Sequence, residues 1–248
     1  MSVERPVMTQ VWDGADAGQR GTDVEIAAAS LAKERALREL FRAAGSVLVA
    51  YSGGVDSSYV ALVATEELGE RALCVTGESP SLAAHQREQA TEIARGFNFR
   101  HEIVRTDEID DPRYTANPSN RCYFCKTELY TKLSPLAVER GIDFVADGST
   151  TDDLGDYRPG RRATTERGVR SPLVEVGMRK QEVRELSRGA GLPTWDKPAS
   201  PCLSSRIAYG TPVTIERLQT VDRGEEIMRS LGFREFRVRH HDELVRLE

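Results

Sequence analysis

The chain has 248 residues, 39% of them hydrophobic and 29% charged, which suffices for a full core in one large domain or one domain with an appendage. No apolar run reaches the roughly eighteen residues of a membrane span and no secretory signal opens the chain, so the cytoplasm is the expected location. The net charge of −5 is uneven: residues 156–248 hold 18 Lys and Arg against 14 Asp and Glu, and the remainder 16 against 25. An acidic chain argues against unspecific nucleic-acid binding, while its basic end suits a phosphate-bearing small molecule.

In chain order, residues 1–24 are polar and aperiodic and read as a leader. Residues 26–44 place Leu31, Leu37, Leu40 and Phe41 near one helical face, and Gly45 is a stop. An apolar strand over 47–51 then runs into Ser52-Gly53-Gly54-Val55-Asp56-Ser57-Ser58 and a helix. Further strands are predicted over 72–77, 101–106 and 143–148, with helices over 82–97 and 127–141 between them. Such alternation predicts an α/β fold, a parallel twisted sheet with helices on both faces and ligands beyond the C-terminal strand ends. From about residue 192 the chain turns rich in Pro, Ser and Gly, then gives a helix over 214–233 and a strand-like 233–241. The expected division is therefore 25–194 as nucleotide domain and 195–248 as a small α+β C-terminal domain.

The glycine loop between strand and helix is an anion site by construction, because backbone N–H groups and the positive helix end converge there. Gly53 and Gly54 permit close backbone approach, Ser52, Ser57 and Ser58 can donate hydroxyls, and Asp56 is a candidate Mg2+ ligand. No G-x-x-x-x-G-K-[ST] signature is present, which argues against the usual P-loop transfer of a terminal phosphoryl group. The segment resembles the PP-loop of ATP pyrophosphatases, a family that splits ATP into AMP and pyrophosphate. Thr76 and Gly77 end a second strand where adenine would lie, and Asp147, Gly148, Ser149 and Thr150 end another near ribose and phosphates.

Of the four cysteines, Cys74 lies inside an apolar strand and reads as a core thiol. Cys122 and Cys125 form C-x-x-C at a helix start, and Cys202 follows the sheet. Three thiolates are too few for a four-cysteine zinc site but hold three corners of a four-iron four-sulfur (4Fe-4S) cluster, with one iron open to a sulfide. A redox pair serving Cys202 as sulfur carrier and a structural zinc with a fourth ligand such as His remain open.

Together SGGVDSS, NRCYFCK, ADGSTTDDLGDYRPGRRA, SPLVEVGMRKQEVRELSR, PCLSSRIAYG and RVRHHDELVRLE resemble the LarE-type family throughout residues 25–248. These sulfur transferases build the nickel-pincer nucleotide of lactate racemase. The resemblance implies a pyridinium biscarboxylic acid mononucleotide substrate, ATP with Mg2+, a sulfide donor and a homohexamer built through the C-terminal part. A single-cysteine variant gives up its own sulfur; the added C-x-x-C looks like a cluster-bearing branch that turns over. A mononucleotide phosphate calls for planar, always-charged donors, and Ser205, Arg206, Arg237 and Arg239 look like the family's phosphate residues. Lys126 can stabilise thiolate or substrate charge. Glu225 resembles a family acid near the reacting sulfur, against a solvated helix face shared with Glu226. His240 and His241 read as surface or packing residues. The rivals are a cluster-bearing PP-loop tRNA thiolase, which demands a broad basic surface, an amide-forming synthetase with no use for three cysteines, and a non-catalytic scaffold binding ATP and an iron–sulfur cluster.

Overall fold

The computed structural model describes residues 19–241 and 244–248. The leader expected over 1–24 falls mostly outside them, and its last six positions already belong to helix α1 (Gln19–Ala44). Helices α2 (Val55–Leu68), α3 (Ala84–Gly96), α4 (Pro112–Thr115), α5 (Arg121–Glu139), α6 (Gly160–Glu166), α7 (Pro172–Glu175), α8 (Lys180–Gly189) and α9 (Ile215–Ser230) follow. Strands β1 (Val47–Ala50), β2 (Ala72–Glu78), β3 (Arg100–Arg105) and β4 (Val145–Ala146) form one parallel sheet in the order β3-β2-β1-β4. A separate antiparallel pair joins β5 (Val238–His241) to β6 (Leu244–Leu247).

Side chains alternate across the parallel sheet because the strand period is two. Val47, Val49, Ala72 and Cys74 face a core shared with α1, α2, α3 and α8. Leu48, Leu73 and Val75 face the other core, against Tyr130, Leu133 and Ala137 of α5 and Ala163 of α6. Covered on both faces, the strands read as continuous apolar runs, as parallel strands do. Cys74 is fully buried and burial pushes its thiol up to about 12, in keeping with a packing role. A third core joins Ala83 and Tyr114 to Leu203, Ile207, Val213, Leu218 and Val221, with Phe124 and Cys125 beside them. This cluster seats the C-terminal segment on the main body.

The chain runs from β1 outward to β2 and β3, then returns to place β4 on the other side of β1. The strand order therefore reverses between β1 and β4, and the loops leaving these two strands open a crevice. β4 is shorter than the 143–148 run because its backbone leaves the β1 ladder. Arg170 N donates to Val145 O and Asp147 N to Arg170 O, both at 2.9 Å. That pairing releases the Asp147 side chain and Gly148 toward the crevice. The expected strand over 233–241 likewise contracts to Val238–His241.

Candidate functional site

The loop after β1 is shaped by close packing. Gly53 has φ +66°, and a Cβ there would lie 2.8 Å from the Ala90 Cβ, so only glycine lets the loop lie on α3. A Cβ on Gly148 would meet the Ser57 backbone N at 2.8 Å, which is how the β4 exit closes against the first turn of α2. Ser57 Oγ accepts from Ser52 N–H at 3.2 Å and lies 3.0 Å from Ser52 Oγ, tying the loop's two ends. No side chain caps α2. Its first-turn N–H groups therefore remain for an anion from outside the helix. Ser58 is fully buried and faces the core rather than the mouth of the loop.

Asp56 accepts from Lys180 Nζ at the start of α8, while its Oδ1 is buried with no hydrogen-bond partner. Burial raises its carboxyl pKa against the opposing pull of Lys180. A buried carboxylate oxygen without a donor is a fitting place for a cation. Lys197 Nζ donates to Gly53 O at 3.1 Å, and burial lowers its pKa. Ser52, Gly54, Asp56, Lys180, Lys197 and Cys202 all line one cleft of about 280 Å3.

Beyond β4, Asp147 receives Ser171 Oγ at 2.7 Å, Ser149 Oγ at 2.8 Å and Lys126 Nζ at 3.3 Å. Burial alone would raise this carboxyl, but the Lys126 ammonium and the serine hydrogen bonds outweigh it and hold the pKa below the ordinary value. Lys126 thus stands between the cysteine motif and the β4 exit. Thr76 is turned inward: its hydroxyl donates to Tyr51 O at 2.8 Å and lies 2.9 Å from His101 Nε2. Gly77 makes room for Leu129 of α5, whose Cδ1 would stand 2.8 Å from a Cβ there.

Cys122 and Cys125 lie in the first turns of α5, and Cys125 packs against the third core, which includes Leu203, the neighbour of Cys202 in sequence. Burial pushes the Cys125 and Cys202 thiols up; Glu108 and the other two cysteines raise Cys125 further, Cys122 raises Cys202, and Arg121 opposes the rise in both. Among the described residues no three His, Cys, Asp or Glu side chains converge as ligands of a single metal ion. His240 is half-buried, joined by its backbone to Ile207, and His241 is exposed.

Arg206 and Glu225 are 5% and 4% exposed and face each other, Nε to Oε1 at 2.7 Å. Arg206 also donates to Pro201 O at 2.5 Å, Cys202 O at 3.2 Å and Ser205 Oγ at 2.9 Å. The pair therefore braces the turn that carries Cys202. Arg237 is exposed on a larger cleft of about 570 Å3, with Lys197, Arg229 and Arg234. Arg239 lines a smaller one of about 230 Å3 with Ser205 and Arg121, and its Nε donates to Glu248 at 2.6 Å.

No family model matches the chain. Over 212 residues it is 51% identical to an uncharacterised protein of Synechocystis sp., covering 86% of this chain and 79% of the relative. Over 214 residues it is 35% identical to the pyridinium-3,5-bisthiocarboxylic acid mononucleotide synthase of Lactiplantibacillus plantarum, covering 86% and 76%. The chain belongs to this synthase family. It is thereby a PP-loop ATP pyrophosphatase-type protein of the LarE-like kind. An uncharacterised protein of Methanocaldococcus jannaschii is 27% identical over 202 residues, covering 82% and 77%.

In this family member the structure adds site residues that sequence reasoning did not single out. Lys180 reaches Asp56 across 124 positions. Gln86 donates to Ser200 O at 3.0 Å, and Arg184 to Trp195 O at 2.6 Å and Lys197 O at 2.8 Å, so both hold the strip whose Lys197 and Ser200 line the nucleotide-loop cleft and the 570 Å3 cleft alike. A cluster of basic residues over 179–184 was the available signal, but it looks like any solvated helix start.

Proposed function

We propose that the protein is an ATP-dependent sulfur transferase that adenylylates a carboxylate of pyridinium-3,5-biscarboxylic acid mononucleotide and replaces the activated oxygen with sulfur. The observation that carries this reading is that Cys202 lines the same cleft as Ser52, Gly54 and Asp56. A nucleotide-activating loop and a sulfur-bearing residue thus share one space. A carboxylate oxygen attacks the α-phosphorus of ATP and the bond to pyrophosphate breaks, giving an acyl adenylate. Sulfur then attacks the acyl carbon and AMP leaves with the oxygen.

The chain's own groups suit the first step. The uncapped start of α2, Lys180 and Lys197 offer positive charge to the departing pyrophosphate, and Asp56 would hold Mg2+. Lys126, anchored on Asp147, offers a cation between the nucleotide loop and the thiols. Cys122, Cys125 and Cys202 would hold a 4Fe-4S cluster, which when bound supplies a labile sulfide. The 570 Å3 cleft, with Lys197, Arg229, Arg234 and Arg237, is large enough for a mononucleotide and rich in phosphate-binding side chains. Arg206 also lines this cleft, and Ser205 and Arg239 line the 230 Å3 one that shares Arg206 with it. Assembly into a homohexamer and loading by a sulfide donor belong to the same reading.

The test is product analysis with ATP and the biscarboxylic mononucleotide. AMP and pyrophosphate are expected, abolished in Asp56→Ala, whereas Cys202→Ala keeps AMP formation and loses thiocarboxylate. ADP and orthophosphate as the sole products would overturn the reading.

A further inference from the structure

The nucleotide-loop cleft of about 280 Å3 and the cleft of about 570 Å3 proposed for the mononucleotide meet along one ridge. Lys197, Pro198, Ala199 and Ser200 line both clefts, and Lys197 is the one charged residue of these four.

The ridge is braced at both ends. Lys197 N donates to Thr194 O at 3.0 Å, Lys197 O accepts from Arg184 at 2.8 Å, and Pro198 next to it has a fixed φ. At the other end Gln86, 7% exposed, donates Nε2 to Ser200 O at 3.0 Å and to Ser200 Oγ at 2.6 Å. A side chain of α8 and one of α3 thus hold the backbone that carries Lys197.

Its ammonium is less committed than those around it. Lys180 faces Asp56, Lys126 faces Asp147 at 3.3 Å, and Arg206 faces Glu225 at 2.7 Å. Lys197 Nζ donates to the neutral Gly53 O at 3.1 Å and pairs with no carboxylate among the described residues. An ammonium carries three donors, so two remain for ligands. Adenylylation brings a carboxylate up to a phosphate, and two anions meeting without a cation between them repel by several kcal/mol. The ridge is where anions held in the two clefts would approach each other.

We infer that Lys197 is a catalytic residue of the first half-reaction, one ammonium that touches the mononucleotide carboxylate and the α-phosphate of ATP at the same time. This rests on the sulfur-transfer reading with ATP at the glycine loop and the mononucleotide in the larger cleft, and it adds the group that joins them. A carboxylate oxygen forms the bond to the α-phosphorus, the bond to pyrophosphate breaks and its electron pair leaves with the pyrophosphate. Lys197 gives up no proton in this step; it offsets charge on the attacking carboxylate and on the α-phosphate oxygens.

The experiment uses the full chain as wild type, Lys197→Met, which keeps the aliphatic stem, and Lys197→Arg, which keeps the charge. Calorimetry gives the affinity for α,β-methylene-ATP with Mg2+, for the biscarboxylic mononucleotide, and for the mononucleotide with the analogue already bound. Rapid quench gives the single-turnover rate of AMP formation with ATP and mononucleotide both saturating. In Lys197→Met each ligand alone should bind within about threefold of wild type, the scale of one partly exposed charge among several, and the retained analogue affinity reports an intact loop. With the analogue bound, mononucleotide affinity should fall about tenfold from uncompensated repulsion, and AMP formation should slow about 10- to 100-fold. Lys197→Arg should recover most of both losses. An unchanged saturated rate in Lys197→Met would overturn the role of Lys197 alone. So would a loss confined to the affinity for one ligand by itself, which would assign Lys197 to one cleft. A wild type that forms no AMP with the mononucleotide would overturn the sulfur-transfer reading and this inference together.

Discussion

Removing the Glu225 carboxylate should strand the Arg206 guanidinium. The two side chains are 5% and 4% exposed, with hydrogen bonds of 2.7 and 3.3 Å between them. Breaking a buried ion pair by deleting one partner leaves an uncompensated charge and costs roughly 3–5 kcal/mol, whereas replacing both by apolar groups is often close to neutral. Glu225→Ala is therefore expected to lower unfolding stability in urea by about 3–5 kcal/mol. Glu225→Gln, which keeps one acceptor, should lose less, and Arg206→Met with Glu225→Leu should recover most of the loss. Because Arg206 also holds the carbonyls of Pro201 and Cys202, Glu225→Gln should reduce thiolation more than AMP formation. A loss below about 1 kcal/mol in Glu225→Ala, the range of a surface ion pair, would refute the argument that this pair braces the cysteine turn. Equal damage to both half-reactions in Glu225→Gln would refute the link to Cys202.

Other outcomes follow from single contacts. Gly148→Ala forces a methyl against the Ser57 backbone at 2.8 Å; an overpacking cost of about 1–3 kcal/mol and weaker ATP binding are expected by urea titration and calorimetry, and unchanged affinity would deny the contact its role. Lys180→Met removes the ammonium facing Asp56; AMP formation should fall roughly 10- to 100-fold, as for a charged hydrogen bond of about 1.5–3 kcal/mol, with the folded content unchanged by circular dichroism. His85 is pushed down to about 4, first by burial and then by Arg229, Lys197 and Arg206. Its unfolded form binds a proton at higher pH than its folded form, so stability is complete above about pH 6.5 and falls as pH drops toward 4. Burial lowers His101 as well, in the same direction. Urea midpoints at pH 7 and pH 5 should therefore lie closer together in His85→Gln than in wild type, and an unchanged gap would assign the pH dependence elsewhere.

Much of the nucleotide half is legible from local pattern. An apolar run, two glycines among serines and a following helix dictate strand, loop and helix, because each step depends on neighbours along the chain. The same holds for Cys74, whose place in an apolar strand dictates burial. Other features depend on facing. Thr76 lies at a strand end that looks available to a ligand, yet its hydroxyl is bound to Tyr51 O. Glu225 sits in a charged helix beside Glu226, and only packing against the Cys202 turn distinguishes the two.

The amino-acid order by itself determined the alternating α/β architecture, the glycine loop and the cysteine spacing, since these are set by short-range backbone preference and hydrophobic period. The tertiary structure decided that β4 returns beside β1, that Lys180 meets Asp56, and that Cys202 lines the nucleotide cleft while its neighbour Leu203 joins the core against which Phe124 and Cys125 of α5 pack. Those meetings join residues far apart in the chain. They are settled by which faces bury together when the sheet closes, a choice that no local window of residues contains.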